Sequence, residues 1–376
     1  MSRGIENRES EIERRDSGWV VSAEFDLAWF VAPMLVPALV ALALSPYLAG
    51  LEGVPLWAWV VFILLVDVAH VWSTLYRTYL DRRELARRPW LYTLTPLGCF
   101  ALGAAIYGTL GQLAFWRTLA YLAVFHFVRQ QYGFLALYDG RDRRLSHFDR
   151  TLNRWTVYAA TLGPILYWHT HTRSFVWFVP GDFVELSRDG LWTAAAVPVF
   201  GLYATFTLRQ AYLWLARGEQ NPGRVAVVGS TAIAWWTGIV LLDSDLAFTA
   251  TNTLAHGVPY VALIWLTLNR QAGQAGLERS RFLREVAQPV ALPLFLGILF
   301  GLAFFEEALW DHLVWQEHGA LFGTRGVLSD AASSWLWLTV PLLALPQATH
   351  YVLDAFVWKL DGTNPGLREA LMGEAK

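Results

Sequence analysis

The chain reads as a series of long apolar stretches separated by short polar ones. A stretch near 20 residues, rising about 1.5 Å per residue as a helix, is long enough to cross a hydrocarbon core of about 30 Å. Ten such spans are predicted, over 27–48, 55–76, 91–112, 114–138, 155–170, 191–215, 225–243, 246–269, 289–310 and 334–358. The fifth is the shortest and ends at Trp168-His169-Thr170-His171. No segment alternates with period two, as barrel strands would. The expected fold is therefore all-α: a polytopic integral membrane bundle of about ten transmembrane helices. The expected organisation is a cytoplasmic N-terminal tail over 1–18, one transmembrane domain over 19–360 and a cytoplasmic C-terminal tail over 361–376.

Composition narrows the class further. Of 376 residues, 55% are hydrophobic and only 16% charged, against roughly 25% charged in soluble domains. That is too little charge to cover two or three soluble domains. A single cysteine, Cys99, excludes a disulfide framework and a cysteine-based zinc or iron–sulfur site. With 29 Lys+Arg against 31 Asp+Glu there is no basic domain, and no nucleic-acid partner is expected.

Charge also orients the bundle. Basic residues gather at 3–15, 77–88, 141–154, 217–224, 270–284 and 359–376, which hold 23 of the 29 Lys+Arg. The alternate connections hold only Arg117, Arg173, Arg188 and Arg325, while Arg129 and Arg209 fall within spans. The positive-inside tendency then puts both termini in the cytoplasm. The expected location is multi-pass in a bacterial-type inner (cytoplasmic) membrane. Residues 1–18 carry Glu6, Glu9, Glu11 and Glu13 and lack a cleavable-leader pattern. The longest connections, 170–190 and 311–333, are rich in aromatics and expected to cap the far end of the bundle.

Ionisable side chains deep in a bilayer are costly, face the bundle interior and mark functional sites. Four spans each carry one histidine: His70, His126, His256 and His350. They lie 7, 13, 14 and 9 residues from the ends near Arg77, Asp139, Arg270 and Lys359, a depth of about 10–21 Å. Four helices thus deliver one imidazole each to a common slab, as in bundle-core metal sites. Each has a polar residue one turn away: Asp67 with His70, Gln130 with His126, Asn252 with His256, and Asp354 with His350. Such neighbours can take the second ring N–H of a ligating histidine. Alternatively Asp67 and Asp354 ligate directly, in a mixed His/carboxylate site suited to iron, manganese or zinc.

The candidate ligands are therefore His70, His126, His256, His350 and Asp354. Asp67, Arg129, Gln130 and Tyr351 are the candidate catalytic residues, with Gln131, Tyr132 and Tyr260 as further cavity candidates. Arg129 needs a counter-charge, Asp67 or Asp354, unless it snorkels to the interface. A second group, His169, His171, Glu306, Glu307, His312 and His318, falls at helix ends and in the opposite connections, where water can solvate it. His147 reads as a surface residue.

A metal held by neutral imidazoles can activate oxygen if a coordination position stays open. The expected cofactor is a non-haem metal, iron first, as one ion or two. The expected partners are a membrane lipid or lipid-soluble substrate and an electron donor, unless the reaction is a dioxygenation that needs none. In architecture, with His70, His126, His256 and His350 as candidate ligands, the layout resembles the polytopic Brp/Blh family of carotenoid-cleaving membrane oxygenases. That resemblance implies a single iron held by transmembrane histidines; it does not carry carotenoid as the substrate. The HxxxH and HxxHH clusters of membrane desaturases and hydroxylases are absent. Two alternatives stay open: a membrane electron-transfer protein binding haem b, and a proton-coupled transporter whose relay is Asp67, Asp354 and the histidines.

Reporter fusions should place residues 141–154 and 270–284 on the cytoplasmic side. A fusion in either segment that reports from the opposite side overturns the orientation.

Overall fold

The structure, a computed structural model, describes residues 18–186, 190–272, 280–324 and 334–372. Nearly all of the N-terminal tail expected over 1–18 lies outside these residues, as do Arg188, Arg325 and the last four positions. The described residues form helices and no strand.

Among the described residues six helices are long and apolar enough to cross a membrane: α1 (Ala23–Ala43), α2 (Leu56–Arg77), α3 (Pro89–Leu110), α6 (Leu191–Arg217), α7 (Pro222–Leu241) and α9 (Pro289–Trp315). The other four predicted spans are helical too: α4 (Gln112–Arg141), α5 (His147–Thr170), α8 (Asp245–Ala272), and the pair α10 (Leu336–Leu343) and α11 (Leu345–Val357). Their apolar character is diluted because they carry Arg129 and Asp139, Asp149 and Arg154, or Asn252 and His256. The tenth predicted span is further divided at Ala344, since Pro341 and Pro346 each remove an amide donor from the ladder.

Two boundaries differ from the sequence pattern. The fifth helix starts at His147 rather than near 155. Ser146 caps it, its hydroxyl accepting from the Asp149 amide while Asp149 accepts from the Ser146 amide. Nor is 361–372 a free tail. Helix Leu367–Met372 folds back, burying Leu367 and Leu371 in the core, and Arg270 donates to the Ala370 carbonyl.

Apolar packing sorts the helices. One core joins α1, α4, α5, α7 and α8 through Phe30, Phe134, Trp168, Trp235 and Leu263. A second joins α2, α8 and α9 through Leu64, Tyr260, Leu268, Phe295 and Leu299. Helix α8 belongs to both. Helices α3, α6 and α9 instead turn large apolar side chains outward, Val197 being 75% exposed and Leu215 81%. A continuous exposed apolar face of this kind suits hydrocarbon rather than water.

Two glycines position the interior. Gly111, at φ 89°, turns the chain between α3 and α4 in a single residue, a conformation that L side chains rarely adopt. Gly257 lets α8 approach α2 closely: a Cβ there would stand 2.7 Å from Val66 Cγ1 and 3.0 Å from the Val66 carbonyl oxygen. That crossing sits beside His70 and His256.

At the basic end, buried Arg224 locks three helix ends together. Its Nε donates to Asp139 and its Nη2 to Asp142, each at 2.8 Å, while Asn153 also donates to Asp139. Burial acts to raise the Asp142 carboxyl, but hydrogen bonds from Arg144 and Arg224 outweigh it and hold it at about 2, below the ordinary aspartate value of about 3.9. A depressed carboxylate stabilises the fold above its ordinary range, and that contribution is lost as the pH falls from about 4 to about 2. Arg224→Met should therefore lower stability by about 3–5 kcal/mol at pH 7, because buried Asp139 loses its ion-pair partner and Asp142 keeps Arg144 but loses Arg224. The gap from wild type should narrow through the acid window. Tryptophan-detected unfolding in detergent checks this, and a loss below about 1 kcal/mol at pH 7 would contradict the buried-pair assignment.

Candidate metal centre

The four histidines converge. One ring nitrogen from each of His70, His126, His256 and His350 lies within 4.8 Å of the others, and all four side chains are buried. The Nε2 atoms of His70 and His256 are 2.8 Å apart, and those of His126 and His350 are 3.1 Å apart. The sequence expectation of one imidazole per helix meeting at one depth is met.

Local backbone features aim these rings. A run of wide π-type turns, Trp59–Val68, directly precedes His70, and such turns recur at functional sites. In α8, Pro259 cannot donate to the carbonyl of Ala255 four residues back. Gln131 Nε2 donates to that carbonyl instead, at 3.3 Å, and Gln130 Nε2 donates to the His256 carbonyl at 3.1 Å. Two adjacent glutamines of α4 thus fasten the proline-interrupted turn that carries His256.

The far ring nitrogens are held as well, though not by the neighbours the spacing suggested. Gln130 Oε1 accepts from Nδ1 of His256, across helices, rather than serving His126 on its own helix. Asn252 spends its amide on the Phe248 carbonyl and does not reach His256. His350 Nδ1 is 2.7 Å from Thr74 Oγ1, Thr74 is 3.0 Å from Tyr260 Oη, and Tyr260 donates to Asp354 Oδ1 at 2.6 Å. This chain is consistent in one direction: His350 donates to Thr74, Thr74 to Tyr260, Tyr260 to the carboxylate. Thr74 carries no sequence signal of its own, being one hydroxyl among many.

Asp354 stands beside the cluster, its Oδ2 3.8 Å from His126 Nε2 and its Oδ1 3.8 Å from His350 Nδ1. Asp67 Oδ1 is 3.8 Å from His70 Nδ1. Tyr351 packs its ring against His126 at 4.9 Å and accepts from Gln347. Arg129 is a correction. It pairs with neither aspartate; exposed, it donates to Tyr158 Oη at 2.6 Å and lies over the Tyr132 ring. The second histidine group does not assemble. His169 bonds the Val184 carbonyl, His171 stacks on Tyr167, His312 bonds the Ala308 carbonyl and His318 stacks on Trp59. Among the described residues only the four histidines bring three or more such ligand atoms within 4.8 Å of one another.

Proton accounting shows what this cluster fits. With Nδ1–H committed to Gln130 and to Thr74, His256 and His350 each present a bare Nε2 lone pair to the centre. His70 Nδ1 is buried without a partner. If His70 carries its proton on Nε2, that orphan acceptor is left beside a carboxylate; if on Nδ1, two lone pairs face each other at 2.8 Å. A cation among the four Nε2 atoms removes the conflict. Four imidazoles at about 2.0–2.1 Å from a metal have nitrogens about 3.3 Å apart in a tetrahedron, close to the two short edges here. The arrangement also disfavours haem, whose macrocycle must pass between its axial nitrogens, whereas these rings touch directly.

No family model, curated protein or solved structure matches this chain.

Removing Gln130, which holds the His256 ring through its far nitrogen, should weaken metal affinity by about 10–100-fold in Gln130→Ala. Asp67→Asn, altering a group 3.8 Å from His70, should have the smaller effect. Competition titration with a chromophoric chelator ranks the two, and an unchanged affinity in Gln130→Ala would count against the assigned ring orientation.

Proposed function

We propose that the protein is a multi-pass membrane metalloprotein, an oxygenase-type oxidoreductase that acts at one non-haem iron on a lipid or another apolar molecule. The observation that carries this reading is the double position of His350. It belongs to the four-imidazole cluster, and it also lines an apolar groove of about 380 Å³ between α2, α3 and the α10–α11 pair. Val71, Leu75, Pro96, Leu342 and Leu353 form much of that wall, with Thr74 and Thr349 among its few polar points. A hydrocarbon chain lying there is held by shape and apolar contact alone, next to a ligand of the centre.

His70, His126, His256 and His350 would hold the ion, and when bound it supplies one-electron and oxygen chemistry. The protein's own part is to orient and exclude. Gln130 and Thr74 fix the far ring nitrogens of His256 and His350. Tyr260 holds its proton against Asp354, leaving that carboxylate one oxygen directed toward His126. Phe127, stacked on His256 at 3.7 Å, and Trp177, packed on Phe127, close the opposite side. Iron, rather than another metal that accepts imidazole, is favoured by the architectural resemblance to histidine-ligated membrane oxygenases.

Metal analysis with an optical spectrum of detergent-purified protein tests the proposal. It should find iron near one equivalent per chain and no Soret band, and His256→Ala should lose most of that iron. A Soret band would favour the haem reading. Protein without transition metal whose histidine variants lose proton-coupled flux would favour transport. Full iron occupancy in His256→Ala would overturn the site.

A further inference from the structure

A second cavity, of about 360 Å³, lies between α2, α4, α8 and α9 at the end of the bundle where Trp116, Trp310 and Trp315 meet. It shares only Val71 with the apolar groove, and its character is opposite. Asp67, Glu306, Glu307, Asp311 and Glu317 line it, and no Lys or Arg does. Glu306 is buried and accepts from Trp72 Nε1 at 2.6 Å.

Carboxylates alone would describe no more than a wet opening. Two further side chains point to a ligand. Asn252 and Thr253, also on the wall, are only 5% and 8% exposed, and Asn252 Oδ1 and Thr253 Oγ1 have no hydrogen-bond partner. The Asn252 amide nitrogen is engaged by Phe248, so its oxygen is held as a free acceptor. Two buried oxygens without hydrogen-bond donors, among five carboxylates that outnumber the one lining imidazole, His318, 3.8 Å from Asp311, form a donor set for a hard or hydrated divalent cation.

Both ends of the cavity are built. At its mouth Asp311 accepts from the Glu317 and His318 amides at 2.8 Å each and from Thr324, which fixes the turn, and His318 stacks on Trp59 at 3.9 Å. At its floor is Phe127, the ring stacked on His256. The chamber therefore stands one aromatic layer from the histidines, with Asp67 beside His70.

We propose that this chamber captures a hydrated divalent cation and feeds it to the four histidines. The proposal rests on the metal-centre reading above. A one-signed cleft with low-dielectric walls raises the local concentration and entry rate of an oppositely charged solute by about 10–1,000-fold. Oxygen ligands hold a borderline metal less firmly than imidazoles do, so transfer runs toward the histidines.

The test is the rate at which purified, metal-stripped protein takes up Co²⁺, followed by the visible bands of imidazole-bound Co²⁺. The double variant Glu306→Gln, Glu307→Gln should load at least about tenfold more slowly than wild type and reach the same final spectrum and stoichiometry. Glu307→Gln alone, which keeps the Trp72–Glu306 hydrogen bond, should slow loading in the same direction and guards against misfolding of the double variant. Wild-type loading rates in both variants overturn the proposal. So does a changed final spectrum, which would make the glutamates part of the centre rather than a station before it. Wild-type protein that never acquires the imidazole spectrum overturns the metal-centre reading itself, a failure visible before any glutamate is altered.

Discussion

Two pairs of imidazole nitrogens face each other at 2.8 and 3.1 Å in the middle of the bundle, and one member of each pair, His256 and His350, has its Nδ1 proton engaged by Gln130 and Thr74 and so turns a bare Nε2 inward. Much of the interior follows from this constraint. Inward-facing lone pairs are unfavourable in a low-dielectric core unless a proton or a cation meets them. The surrounding helices nevertheless hold them there: Gly257 admits α2 against α8, the proline-freed carbonyl turn of α8 is tied to Gln130 and Gln131, and Thr74 fixes His350. A fold that only needed to bury four histidines would let each ring turn to its own acceptor. This one directs one nitrogen from each toward a common point.

The same requirement accounts for the division of labour among the helices. Those that deliver polar groups to the centre, α4, α8 and α11, are less apolar or shorter than an isolated membrane span, because they are covered by neighbours. Helices α3, α6 and α9 supply that cover and carry the exposed Leu and Val side chains. α2 does both: its first half is apolar and its last turns hold His70 and Thr74. At the basic end a different polar device closes the bundle, with Arg224 between Asp139 and Asp142. That ion pair ties helix ends together without touching the centre, so fold stability and site chemistry rest on separate polar groups.

How much of this was legible in the sequence depends on the range of the interaction. An ionisable residue inside an apolar stretch is visible by contrast, so the four histidines and both aspartates stood out. Which partner each ring would find was not visible, because that depends on helix rotation and crossing. His126 and Gln130 do share a helix, but the packing of α4 against α8 brings Gln130 to His256 instead. Arg129 sits about 60° around the helix from His126, enough to aim its long side chain at Tyr158 on α5. Thr74 and Trp72 were hidden for another reason: a hydroxyl or an indole in a membrane span costs little on its own and so leaves no mark in the pattern. The C-terminal helix Leu367–Met372 is too short to register, and it exists because the bundle offers Leu367 and Leu371 a place to be buried.

The two cavities bear directly on the proposed function, because a buried centre that handled both a cation and an apolar molecule would place incompatible demands on its surroundings. A carboxylate-lined path would exclude hydrocarbon, and an apolar groove would exclude a hydrated ion. Along α2 the two are set end to end, with residues 59–71 facing the carboxylates and 71–79 facing the groove. Trp72 stands at the junction, its ring in the groove wall and its N–H bonded to Glu306. One amphipathic side chain thus satisfies a buried carboxylate on one side while presenting an apolar face on the other. With the two cavities separated in this way, a carboxylate-lined wall approaches the four histidines from one direction and an apolar wall from another.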